Sequence, residues 1–95
     1  MGLGREEELE VYQPPRFLPG AKVMAIRSVK NDGTFAGRDI GEVLVRKGDV
    51  GYVRDVGMYL QRYYIYAVDF VARGAVVGMR ARELVVPDPV KESAA

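Results

Sequence analysis

Apolar and polar positions alternate in short runs along this chain, and nowhere do they recur with the period of a ten-residue amphipathic helix. The clearest run covers residues 62–70, where Tyr64, Tyr66, Val68 and Phe70 share one face and Tyr63, Ile65, Ala67 and Asp69 share the other. A period of two marks a strand with one buried face, and the first set is the predicted core face. Residues 21–29 predict the first strand, with Val23 and Ala25 on one face and Lys22, Met24 and Ile26 on the other. Both of its faces carry apolar residues, so alternation alone does not choose the inner one. Residues 42–45 and 50–55 predict two further strands, residues 75–80 another behind a hairpin at Arg73-Gly74, and residues 85–86 a last short piece. After Gly57, residues 58–61 read as a bend or crossing, and residues 81–84 as a single helical or 3-10 turn.

Turn chemistry punctuates these runs. Gly48 closes the charged turn Arg46-Lys47-Gly48-Asp49 and can take the positive φ that a tight corner needs, whereas Gly51, inside a strand, marks a bulge, a bend or a close backbone approach. Asn31-Asp32-Gly33-Thr34 is a turn whose side chains bond their own backbone, followed by a long loop to Gly41 of the kind on which binding surfaces sit. Gly33, Gly37 and Gly41 lack the Lys-Ser/Thr of a phosphate loop and read as turn glycines. Together these features predict an all-β fold, a small SH3-like barrel of about five strands with a short 3-10 turn near the C-terminus. Residues 1–15 are expected to form an acidic flexible arm, 16–86 the barrel, and 87–95 a flexible tail.

Composition narrows the chemistry. The 95 residues include no cysteine and no histidine, which removes thiolate and imidazole metal ligands as well as Ser-His and Cys-His nucleophile pairs. No pair of carboxylates stands out, so the chain is expected to be non-catalytic and to carry no cofactor or metal. The acidic N-terminal residues contain no apolar run, neither signal peptide nor membrane span, and the expected location is the cytoplasm. The formal net charge is only +1, but residues 16–85 hold twelve basic and seven acidic side chains, a surplus of five positive charges. Arginine outnumbers lysine ten to four, and its planar fork suits carboxylates, phosphates and aromatic faces. The bland account of these charges is a solvated barrel surface with local aspartate partners. The functional one is a partner-binding face built from Arg38, Lys47, Arg54, Arg80 and Arg82 with Tyr59 and Tyr63, tyrosine and arginine being enriched at interfaces. A basic barrel with exposed aromatics also suits single-stranded nucleic acid, and a non-catalytic structural subunit of a larger enzyme is a third reading.

Over residues 15–84 the chain resembles the NifZ family of nitrogen-fixation accessory proteins. The landmarks are Pro15-Arg16-Phe17, the turn from Arg27 to Thr34, Leu44-Val45-Arg46-Lys47-Gly48-Asp49-Val50-Gly51-Tyr52-Val53, Leu60-Gln61 leading to Tyr64-Ile65-Tyr66-Ala67-Val68, Val77-Gly78-Met79-Arg80 and Glu83-Leu84. Their order and spacing carry the resemblance. It implies a chaperone-like assembly factor that binds the immature molybdenum–iron protein of nitrogenase as its client and assists maturation of the P-cluster, an eight-iron iron–sulfur centre. A chain without cysteine or histidine would do this by holding the client rather than the cluster.

Overall fold

The computed structural model describes residues 10–87; the arm expected before residue 10 and the tail expected after Pro87 lie outside the described residues. The elements are η1 (Glu10–Tyr12), β1 (Lys22–Ala25), β2 (Val29–Lys30), β3 (Val43–Val45), β4 (Val50–Tyr59), β5 (Tyr63–Phe70), η2 (Val71–Arg73), β6 (Ala75–Met79), η3 (Ala81–Glu83) and β7 (Leu84–Val85), where η denotes a 3-10 turn. The fold is all-β. Its principal sheet has five antiparallel strands in the order β6-β5-β4-β1-β7, and β2 pairs with β3 in a separate ladder.

The core follows from the alternation in β5. Tyr64, Tyr66, Val68 and Phe70 are all buried, and Val23 and Ala25 of β1 prove to be the inward pair, joined by Val53, Met79 and Leu84. Each large apolar side chain withdrawn from water contributes roughly 1.5–3 kcal/mol. Tyr66 is completely buried, with the Phe17 ring edge-on at 5.4 Å and its hydroxyl accepting the Arg16 N–H at 2.9 Å, so its polar end is satisfied inside the core.

β4 is the long strand that ties the sheet together. Its first half pairs with both β1 and β5, and Gly51 sits where a Cβ would lie 2.7 Å from the Asp69 carbonyl oxygen and 2.8 Å from a Val68 methyl. Of the three roles open to this glycine, close backbone approach is the one observed. The register slips between Val53 and Asp55, placing an extra residue, Arg54, in β4. Such a bulge bends a strand and increases its twist.

Three boundaries differ from the sequence expectation. The strand predicted over 21–29 is two strands: Ile26 keeps one further bond in the β1–β7 register, its N–H to the Glu83 carbonyl at 3.0 Å, and the chain then leaves the main sheet to pair as β2 with β3. The strand predicted to end at Asp55 runs on through Gly57 to Tyr59, held by β5 through Gly57↔Ile65, Met58↔Tyr64 and Tyr59↔Tyr63. Residues 58–61 therefore do not cross the fold; a tight turn at Leu60 and Gln61, with φ of 53° and 56°, closes a hairpin. Two non-glycine residues in the left-handed region cost roughly 1–2 kcal/mol each, which the ladder behind them offsets.

The third difference concerns the expected arm. Its described residues are docked: the buried Tyr64 hydroxyl donates to the Gln13 carbonyl at 2.6 Å with the Val11 carbonyl at 3.2 Å, Val11 N–H donates to the Arg62 carbonyl, and a Glu10 carboxylate oxygen accepts the Tyr64 N–H. A tyrosine buried by its ring needs a partner for its hydroxyl, and η1 supplies it. At the other end Pro87, expected to begin the tail, is buried against the body.

Candidate interaction surface

The β4–β5 hairpin has two ends of different character. At the end where β4 begins, Asp49 and Arg73 form an ion pair with 2.6 Å and 3.3 Å contacts, and the Asp49 carboxylate also accepts the Arg46 N–H. The Arg73 hydrogen bond, assisted by that N–H, holds the Asp49 carboxyl below its ordinary range against a smaller opposing effect of burial. Arg38 joins the same end, donating to the Arg73 carbonyl at 3.0 Å, pairing with Glu42 at 3.3 Å and lying over the Phe35 ring.

The long loop there is organised by one residue. Asn31 is the only buried polar side chain among the described residues; its amide donates to the carbonyls of Phe35, Arg38 and Asp39 at 3.0–3.2 Å, and its Oδ1 accepts the N–H groups of Gly33 and Phe35. The loop is thus folded around a satisfied buried amide. Gly33, Gly37 and Gly41 all have positive φ and serve its turns, as their sequence context implies.

At the hairpin tip the chemistry is aromatic and exposed. Tyr59 and Tyr63, directly paired across the strands, have ring centroids 5.4 Å apart, and the Arg80 guanidinium lies over the Tyr63 ring at 3.6 Å. Arg80 also reaches Glu10 at 3.7 Å, while its Nε is buried without a hydrogen-bond partner among the described residues. Met58, Tyr59 and Leu60 are 62%, 51% and 68% exposed, a run of large apolar side chains in water. Register places Asp55, Gly57 and Tyr59 of β4 beside Ala67, Ile65 and Tyr63 of β5 on the face away from the core. A shallow groove of about 490 Å³ lies there, lined by Asp55, Val56, Gly57, Met58, Tyr59, Ile65 and Ala67.

The seven side chains singled out by sequence do not form one patch. Tyr59, Tyr63 and Arg80 come together at the tip, and Arg54 lies on the same hairpin at the bulge. Lys47 is exposed in the turn before β4, twelve residues from Tyr59 along a strand that rises about 3.3 Å per residue, so it belongs to the opposite end. Arg38 is engaged with the backbone and with Glu42, and Arg82 is exposed on η3. Val56, Gly57 and Met58 escaped the sequence reading, although Gly57 within an apolar run was the available signal. Among the described residues no group of three or more Asp or Glu side chains is placed to hold a metal ion, and no helix is long and apolar enough to cross a membrane.

Comparison with known proteins places the chain in a family. The NifZ domain matches residues 14–86. A Sinorhizobium fredii protein described as NifZ is 64% identical over 84 residues, covering 88% of this chain and 78% of that one. A Rhodobacter capsulatus protein so described is 58% identical over 74 residues, 78% of this chain and 95% of that one, and protein NifZ of Azotobacter vinelandii is 47% identical over 72 residues, 76% of this chain and 45% of its own length. No solved structure matches the chain. A matched domain that spans nearly every described residue, with relatives 47–64% identical over their aligned positions, shows that the chain belongs to the NifZ family of nitrogen-fixation accessory proteins.

Proposed function

We propose that this chain is a non-catalytic, cytoplasmic accessory factor that binds the immature molybdenum–iron protein of nitrogenase and assists maturation of its P-cluster. The observation that carries the reading is membership of the NifZ family across residues 14–86, combined with an exposed aromatic and apolar surface at the β4–β5 tip. A sequence without cysteine or histidine offers an iron–sulfur cluster no thiolate or imidazole, so the contribution to maturation is contact with the client polypeptide. Tyrosine and arginine are the side chains that anchor such contacts, because each combines a large flat surface with directional polar groups. Of the candidate residues, Tyr59, Tyr63, Arg80 and Arg54 form the client-facing set; Lys47 and Arg38 belong to the other end of the hairpin.

The test is co-purification with molybdenum–iron protein isolated before P-cluster maturation. The reading expects the wild-type chain to capture that form in preference to the mature one, and expects Tyr59→Ser with Arg54→Glu to lose capture while the thermal midpoint stays within a few degrees. Absence of capture by the wild type would overturn it, as would binding to single-stranded RNA alone with steep salt dependence, the mark of phosphate contacts.

A further inference from the structure

We infer that residues 54–59 of β4 are a receptor edge to which an extended, net acidic segment of the client adds as a further antiparallel or parallel strand. This deepens the proposed function and rests on it. β1 accompanies β4 only as far as Val53, whose N–H donates to the Ala21 carbonyl at 2.9 Å and whose carbonyl accepts the Gly20 N–H at 2.7 Å. Past the bulge at Arg54, β4 is paired with β5 on one side and with no strand on the other among the described residues.

Backbone direction on that open side can be worked out. The Tyr59 carbonyl accepts the Arg62 N–H at 3.0 Å and so points into the hairpin. Directions alternate along an antiparallel strand, which turns Gly57 toward β5 and leaves the N–H and C=O groups of Val56 and Met58 facing outward. The groove on the outer face, lined by Asp55, Gly57 and Tyr59 with Ile65 and Ala67 of β5, also reaches Val56 and Met58 and so borders this edge. Six residues at about 3.3 Å each give an edge of roughly 20 Å, the length of an ordinary strand.

Exposed edges are normally protected by charge, proline or a covering segment. Here the bulge and the charges of Arg54 and Asp55 stand only at the start, and Val56, Gly57, Met58 and Tyr59 carry neither charge nor proline. Gly57 leaves the outer face open, since a Cβ built on it would meet nothing within 4 Å. An apolar side chain of an added strand has room there, between Tyr59 and Ile65. Charge selects the occupant: Arg54 and Arg62 outnumber Asp55 along the edge, and residues 16–85 hold twelve basic against seven acidic side chains, a balance that favours an acidic segment of the client. Main-chain hydrogen bonds to Val56 and Met58 would supply affinity, and the Gly57 site would supply selectivity.

Two full-length variants test the edge separately from the client. Met58→Pro removes one outward N–H at a position where an edge strand tolerates proline. Gly57→Val fills the open site with a strand-favouring side chain and is expected to keep or raise the thermal midpoint. Capture of immature molybdenum–iron protein by the wild type, with at least tenfold weaker capture by both folded variants, is the expected result. Capture undiminished in a folded Gly57→Val protein would overturn the edge while leaving the proposed function standing; no capture by the wild type itself would instead remove that function. A wild-type dimer in sedimentation that Met58→Pro converts to monomer would overturn the inference in favour of a second copy as occupant.

Discussion

The two ends of the β4–β5 hairpin spend their polar and apolar groups in opposite ways. At the Asp49 end, a long loop that could have been mobile is wound around Asn31, and the surrounding charges are matched in pairs: Asp49 with Arg73, Arg38 with Glu42. At the Tyr59 end, β4 and its partner β5 continue past the end of β1 into water and carry Met58, Tyr59 and Leu60 with them. The difference separates stability from recognition. Satisfied buried polar groups and matched charges fix a fold, whereas an exposed apolar edge lowers solubility unless it serves a partner.

If that division is right, substitutions at the two ends should affect different measurements. The largest stability effect is expected from Asn31→Asp, which keeps the shape but turns an oxygen toward the carbonyls of Phe35, Arg38 and Asp39. A loss of about 3 kcal/mol is expected in urea unfolding, because buried acceptors lose their donor and a buried carboxyl is left without a counter-charge. Client capture by the fraction that remains folded should be unchanged.

Next comes Gly51→Ala, whose new methyl would press on the Asp69 carbonyl and on Val68. Overpacking of this kind costs about 1–3 kcal/mol, read as a lowered midpoint in thermal unfolding. Gly57→Val, in the same strand but over open space, is expected to leave the midpoint level or higher, so the pair of glycines contrasts the two halves of β4 directly.

A smaller effect is expected from pH. The folded-state pKa of Asp49 lies below its unfolded value because of Arg73, so the pair's contribution is fully present above the ordinary aspartate range, around 3.9, and is lost as pH falls through the depressed folded value. Arg73→Gln should therefore lower stability at neutral pH, where the pair is intact, and flatten the acid limb, the two proteins converging as pH falls. An unchanged acid limb would show that the ion pair does not contribute in this way. Tyr59→Ser should have the smallest influence on stability, within about 1 kcal/mol for the lost ring contact with Tyr63 at an otherwise exposed position, while weakening client capture.

How much of this was legible in the sequence follows the same division. The core strand β5 could be read because Tyr64, Tyr66, Val68 and Phe70 obey a strict period of two, and the turn at Gly48 because a charged tight turn calls for positive φ, observed at 96°. The continuation of β4 was hidden: Gly57 resembles a strand terminator, and the left-handed turn at Leu60 and Gln61 carries none of the glycine or asparagine that usually signals one. Only pairing with β5 decides both. Arg38 looked like a free cation because its partner, the Arg73 carbonyl, is thirty-five residues away. The docking of η1 was likewise concealed, since charge repulsion among Glu6, Glu7, Glu8 and Glu10 says nothing of the Tyr64 hydroxyl that receives the segment.

The central claim, that recognition resides at the hairpin tip while the opposite end holds the fold, is tested most directly by amide hydrogen exchange on the full chain with and without immature molybdenum–iron protein. The account predicts added protection at Val56 and Met58 and their neighbours to Tyr63, with the amides around Asn31 and Asp49 unchanged. Protection gathered instead around Arg38 and Lys47, with the tip exchanging as freely as in the isolated chain, would contradict it.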